Sequence, residues 1–212
     1  MKYFADRSNK STVPISPVAK RELKAWMGKQ PKATKAWLGE LGFTAAAGQV
    51  KLVPGKDGKV ARVVVGLGSE RNLWCYGNLP KVLPKGRYEI DAKLDSEEAT
   101  LAAVGWALGS YVFDRYKSKS PAKGSTLVWP RGCDRKEAAR MVTATQLGRD
   151  LINTPAEDLG PADIATQVRA LGRNYTAKVK VVTGANLAKS FPAIHAVGKG
   201  ASAARGPRLC DL

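Results

Sequence analysis

Residues 50–68 read VKLVPGKDGKVARVVVGLG. Two runs rich in β-branched residues flank Asp57-Gly58, a dipeptide suited to a tight turn because glycine tolerates positive φ without steric cost. The stretch therefore predicts a β-hairpin. Its second run, Val60 to Val65, is almost wholly apolar rather than alternating, the pattern of a strand covered on both faces. A strand of that kind belongs inside an α/β protein.

Downstream, Arg87 to Asp91 alternates as a short strand. Asp95 or Ser96 then caps a helix that places Leu101, Val104, Leu108 and Val112 on one face, with Glu97 and Glu98 in its electropositive first turn. Lys117 to Ser125 is polar and reads as a flexible connection. Thr126 to Trp129 returns to strand, closed by Pro130-Arg131-Gly132. Upstream, Ser16 to Gly42 reads as two short helices. The first carries Leu23, Trp26 and Met27 and breaks at Gln30-Pro31, because a residue before proline is pushed out of helical geometry. The second carries Thr34, Trp37, Leu38 and Leu41, with Gly42 as its C-cap.

From Asp134 the texture changes. Asp134 and Glu137 have capping-box spacing, and Ala138, Met141, Val142, Thr145 and Ile152 follow at helical intervals to Asn153-Thr154-Pro155. Pro161 opens another helix with Ile164, Val168 and Leu171 on its buried face and Gly172 near its end. A strand from Lys178 to Thr183, a helix over Ala185 to Lys189, an apolar strand from Ala193 to Val197 and a strand beginning at Arg208 complete the series. The expectation is an α/β chain with a compact first domain and a second whose apolar strands need further cover.

Composition narrows the function classes. Of 212 residues, 44% are hydrophobic and 25% charged, ordinary for a globular protein. No run approaches the roughly 18 apolar residues of a membrane span, and MKYFADRSNK has no apolar segment behind its charges, so a cytoplasmic protein without a membrane partner is expected. Cys75, Cys133 and Cys210 form no CxxC pair and have one histidine, His195, as possible company, which argues against a structural zinc site. Gly66-x-Gly68 lacks the third glycine of a dinucleotide loop, and Pro80 and Pro84 interrupt the helix and strand that should follow. No serine or cysteine near His195 makes a triad.

Charge is the anomaly: 35 Lys+Arg against 18 Asp+Glu gives +17. Clusters at Lys20-Arg21, Lys81 to Arg87 and Lys117 to Lys123 would attract phosphate backbones, but no base-reading motif accompanies them. Any nucleic-acid binding would be non-specific and salt-sensitive.

Two segments carry a resemblance. Arg149 to Ala165 reads RDLINTPAEDLGPADIA, and FPAIHAVG at Phe191 to Gly198 is followed by PRLCDL at Pro207 to Leu212. In this order they resemble the leucyl (cytosol) aminopeptidases, and LVPGKDG at Leu52 to Gly58 resembles the N-terminal domain of that family's shorter bacterial branch. The resemblance implies a macro-like N-terminal α/β domain over 1–132, a linking helix and turn over 133–160, and the start of a catalytic α/β domain over 161–212, incomplete at Leu212. It also implies two divalent metals, zinc or manganese, a homo-hexamer, and removal of N-terminal residues from peptides.

The family's metal ligands and catalytic arginine would lie beyond Leu212. The expectation is therefore that this chain supplies no catalytic, cofactor-binding or metal-binding residue and is inactive alone. Asn153-Thr154-Pro155-Ala156-Glu157-Asp158 echoes the family's metal-binding segment, but proline stands where a ligand aspartate would be, so it reads as a turn between helices. His195, inside an apolar run, reads as structural. Alternative functions are a nucleic-acid-binding module and, by fold analogy alone, an ADP-ribose-binding macro-like domain.

Overall fold

The computed structural model describes residues 1–69, 72–118 and 124–212. In chain order these form β1 (Phe4–Ala5), β2 (Thr12–Ala19), α1 (Leu23–Gly28), α2 (Lys32–Glu40), β3 (Val50–Pro54), β4 (Val60–Gly68), α3 (Trp74–Gly77), α4 (Leu79–Val82) and β5 (Arg87–Ile90). They continue with α5 (Ser96–Gly109), β6 (Thr126–Val128), α6 (Arg135–Asn153), α7 (Pro161–Tyr175), β7 (Lys180–Thr183), α8 (Gly184–Ser190), α9 (Pro192–Gly198) and β8 (Arg208–Asp211). The chain divides into two compact units, Met1–Leu147 and Gly148–Leu212.

The first unit holds a sheet ordered β1-β6-β5-β2-β4-β3. All its neighbours are parallel except the β3–β4 hairpin. The hairpin turns at Asp57-Gly58 as expected, with Gly58 at φ 75°. Val63, Val64 and Val65 of β4 are fully buried, because helices pack on both sides of that strand. On one face Ile15, Val63, Val65, Tyr88 and Leu127 meet Cys75, Leu79 and Trp106. On the other, Val18 and Val64 meet Leu38 and Phe43, with Leu23, Trp26 and Met27 against them. Each fully buried large apolar side chain contributes about 1.5–3 kcal/mol to such a core.

Helix α5 starts as expected: the Asp95 carboxylate accepts from the Glu98 amide at 2.8 Å. It is not amphipathic, however. Ala99, Ala102, Val104, Trp106 and Ala107 are all buried, because α5 faces the sheet with one side while Ala103, Val104 and Ala107 pack against Ala138 and Val142 of α6. A helix packed on both sides has no polar stripe to read. Val112, assigned to its face, lies beyond the end of α5 and is 46% exposed.

Two further expectations are corrected. Ser16 does not begin a helix: Ser16 to Ala19 completes β2, and helical structure starts at Lys20. Pro14 and Pro17 conceal this strand, since proline argues against a central position. In the register β5 pairs with Thr12–Ile15 and β4 with Ile15–Ala19. Each proline therefore stands where one neighbour is paired, which limits the ladder bonds lost to a missing amide hydrogen. Ala193 to Val197 is not a strand but lies in α9, with Pro192 in its first turn. A five-residue apolar run does not distinguish helix from strand, and proline at a helix start pre-sets φ.

In the second unit β7 and β8 pair antiparallel, Val181 opposite Cys210. Helix α7 opens at Pro161, where the Asp163 carboxylate accepts from the Gly160 amide at 2.9 Å. Its buried positions are Ala165 and Gly172, whereas Ile164 is 45% exposed. Val168 and Leu171 of the expected face are half-buried, so only Ile164 departs from it, and Val179 packs close against Gly172. The expected flexible connection of Lys117 to Ser125 lies partly outside the described residues. Of its described part, Ser125 is buried and donates to the Pro84 carbonyl at 2.9 Å.

Candidate functional site

The segment that echoes a metal site is occupied with structural work. The Thr154 hydroxyl donates to the Asp150 carbonyl at 2.6 Å, and the Asp158 amide donates to the Pro155 carbonyl at 2.9 Å. Arg205 donates to the carbonyls of Ala156 at 2.6 Å and Glu157 at 2.7 Å. This guanidinium fork fixes the turn between α6 and α7 from within the second unit. His195 is half-buried in α9, and its amide donates to the Phe191 carbonyl at 3.1 Å.

Gly66 and Gly68 serve packing. A β carbon on Gly66 would stand 2.2 Å from the Ala46 carbonyl oxygen, so that glycine admits the 45–47 backbone rather than a pyrophosphate. Cys75 is buried, and Cys133 and Cys210 are half-buried. Burial pushes the Cys133 thiol above its ordinary range, against the opposing effect of a hydrogen bond with Thr100, so it is not poised as a thiolate nucleophile. Among the described residues no group of three His, Cys, Asp or Glu side chains is placed to hold a metal ion. No described helix is long and apolar enough to cross a membrane. Of the basic clusters, Lys20, Arg21, Lys81 and Lys85 are exposed. Arg87 donates to the Arg7 carbonyl at 3.1 Å, and Lys119 to Lys123 lie outside the described residues.

A groove of different character lies on the first unit's sheet. Thr12 stands opposite Arg87, and Pro14 opposite Glu89. Side chains alternate along a strand: Val13, Ile15, Tyr88 and Ile90 join the core under α5, which sends Thr12, Pro14 and Glu89 to the opposite face. There they line a cavity of about 590 Å³ with Asp91, Lys93 and Arg131. A second cavity of about 530 Å³, bordered by Asp6, Arg7, Trp129 and Arg135, shares Glu89 and Arg131 with the first.

Some of the charges around the groove are already matched. Arg62 donates to the Asp91 carboxylate at 2.6 Å and to the buried Ser16 hydroxyl. Arg135 pairs with Asp6 at 3.0 Å, and its guanidinium lies 5.1 Å over the Trp129 ring, which stacks on Phe4. The side chains of Glu89 and Arg131 make no hydrogen bond or ion pair among the described residues. Sequence reading placed Glu89 in a strand and Arg131 in a turn without assigning either a role, because 42 positions of chain separate them.

Comparison with known proteins agrees with this architecture. The family model for the M17 aminopeptidase N-terminal domain matches residues 13–130, and that for the cytosol aminopeptidase family catalytic domain matches residues 146–212. A probable cytosol aminopeptidase of Mycobacterium sp. (strain JLS) is 31% identical over 198 residues, covering 84% of this chain and 38% of the relative. The crystal structure of a cytosol aminopeptidase from Coxiella burnetii superposes with a TM-score of 0.86 at 36% identity, over 99% of this chain and 46% of that one. The bottromycin maturation enzyme BotP, solved in complex with Mn, gives 0.71 at 27% identity, over 93% of this chain and 44% of its own. The chain thus spans less than half the length of each of these relatives. With the N-terminal and catalytic segments matched in succession, the chain belongs to the M17 cytosol aminopeptidase family.

Proposed function

We propose that this chain is the N-terminal portion of a metal-dependent leucyl aminopeptidase that removes N-terminal residues from peptides. The observation that carries the reading is the succession of an M17 N-terminal domain match and a catalytic-domain match along one chain. In this reading residues 1–132 form the macro-like domain, 133–160 the linking helix and turn, and 161–212 the opening of the catalytic domain within a homo-hexamer. Peptides with a free N-terminus are its partners.

The metals of that reading are two divalent ions, zinc or manganese, and manganese is the ion in the BotP complex. The donor side chains in this chain do not suit such a centre, which needs several oxygen or nitrogen ligands converging on ions about 3.5–4 Å apart. Asp163 is engaged with the Gly160 amide, and Asp134 with the amides of Lys136 and Glu137. Glu157 flanks a turn held by Arg205. We accordingly assign no catalytic, cofactor or metal role to any residue here.

The test is hydrolysis of leucine p-nitroanilide with added manganese or zinc, on the 212-residue chain alone and on a chimera carrying the remaining catalytic segment of a family member. No turnover by the chain and metal-dependent turnover by the chimera is the expected result. Chelator-sensitive turnover that copurifies with the intact mass of the chain would place a metal site among residues assigned here to structure.

A second reading, non-specific nucleic-acid binding, rests on the net charge of +17. It requires duplex DNA to bind at about 50 mM salt and to be released steeply as salt rises.

A further inference from the structure

We propose that the groove bounded by Glu89 and Arg131 binds a free α-amino acid with an apolar side chain, as its zwitterion. Its ammonium pairs with Glu89 and its carboxylate with Arg131.

The groove occupies an unusual place. Parallel strands are ordinarily covered on both faces. In the first unit the cluster containing Val18, Val64, Leu38 and Phe43 covers the far half of β2 and β4. The near half of β2 and its neighbour β5 instead present Thr12, Pro14 and Glu89 to an open cavity. Its volume of about 590 Å³ falls in the range of small-molecule sites, roughly 300–1,000 Å³. Pro14 and Leu94 supply an apolar wall.

The charges select the occupant. Asp91 is matched by Arg62, and Asp6 by Arg135, so their fields are largely neutralised locally. Glu89 and Arg131 are the opposite charges that border both cavities and stay unpaired among the described residues. Lys93 and Arg7 are also unmatched among the described residues, so the groove repels a divalent cation and attracts an occupant's carboxylate. Glu89 offers an ammonium contact that a phosphate cannot use. A small molecule carrying both signs satisfies each group, and a carboxylate suits the planar guanidinium fork. The inference does not depend on the proposed hydrolysis, since every residue it uses lies within Met1–Leu147.

The experiment titrates the 212-residue chain with L-leucine by NMR and calorimetry, beside N-acetyl-L-leucine, which lacks the ammonium, and L-leucinamide, which lacks the carboxylate. Leucine should bind in the millimolar range, and each blocked analogue at least about tenfold more weakly, the cost of one lost charge-assisted contact. Glu89→Gln and Arg131→Gln should each weaken leucine binding by a similar factor while leaving the melting curve unchanged. Absence of binding at millimolar leucine overturns the proposal. So does equal binding of N-acetyl-leucine, which would make the groove a plain anion site, or unchanged affinity in both variants. The analogue series decides the question even if a variant folds poorly.

Discussion

A β carbon on Gly109 would stand 1.7 Å from the carbonyl oxygen of Gly77, so α5 and α3 meet backbone to backbone. One turn earlier, a β carbon on Gly105 would stand 2.0 Å from the Leu73 carbonyl oxygen. Glycine inside a helix costs about 1 kcal/mol relative to alanine. That cost is accepted because no side chain fits between the two segments, and the close approach seats Cys75, Tyr76 and Trp106 in one core.

Gly105→Ala and Gly109→Ala should therefore each destabilise the protein, against the direction of helix propensity. Overpacking of this kind costs about 1–3 kcal/mol, or roughly 2–4 °C in Tm for each kcal/mol in a chain of this size. Urea unfolding followed by tryptophan fluorescence would show it. A midpoint equal to or above wild type would mean that α3 yields freely.

Tyr88 is buried with its hydroxyl donating to the Pro84 carbonyl at 2.6 Å, and burial raises its phenol above the ordinary value near 10. The unfolded chain ionises first as pH rises. The stabilisation is complete below about pH 10 and is lost as pH climbs from there through the raised folded value. Tyr88→Phe should show a shallower alkaline loss of stability than wild type. At neutral pH it should be weaker by about 0.5–1.5 kcal/mol for the missing hydrogen bond. Parallel alkaline slopes for the two proteins would contradict this.

Asp134 behaves in the opposite sense. The Glu137 amide foremost, then that of Lys136, holds its carboxyl below the usual range. Its contribution is present above the unfolded value of about 3.9 and is lost as pH falls through the lower folded value. Asp134→Asn keeps the capping oxygen but not the charge, so it should resemble wild type at neutral pH and be less acid-sensitive. Acid denaturation curves of the two proteins test this, and superimposable curves would refute it.

Arg205 should matter more than its ion pair with Glu157. That pair is 3.5 Å long and Glu157's side chain is 91% exposed, whereas two hydrogen bonds from one guanidinium hold the carbonyls of Ala156 and Glu157. Arg205→Lys replaces a planar fork with a single ammonium. It should speed protease cleavage between residues 155 and 160 nearly as much as Arg205→Ala. Glu157→Gln should leave the cleavage rate close to wild type, since an exposed pair contributes about 0–1 kcal/mol. The reverse ranking in a limited-proteolysis time course would show that charge, not the fork, secures the turn.

Local chemistry made much of this protein legible from its residues. The Asp57-Gly58 hairpin, the doubly buried run at Val63 to Val65, the Asp95 cap and the proline-opened α7 are each set by neighbours in the chain. The motif from Arg149 to Ala165 likewise carried the family. What depends on distant partners was not legible. β2 is central because β4 and β5 pair along offset parts of it, and nothing within Pro14 to Pro17 announces that offset. α5 lost its expected stripe because α6 covers the face turned from the sheet. Ala193 to Val197 became helical from Pro192 onward, where an apolar run alone is ambiguous. Glu89 and Arg131 came to border one groove only through the parallel pairing of β5 with β6. Periodicity and capping reach a few residues along the chain, whereas strand order, face coverage and charge pairing are set by contacts across it, which only the tertiary structure supplies.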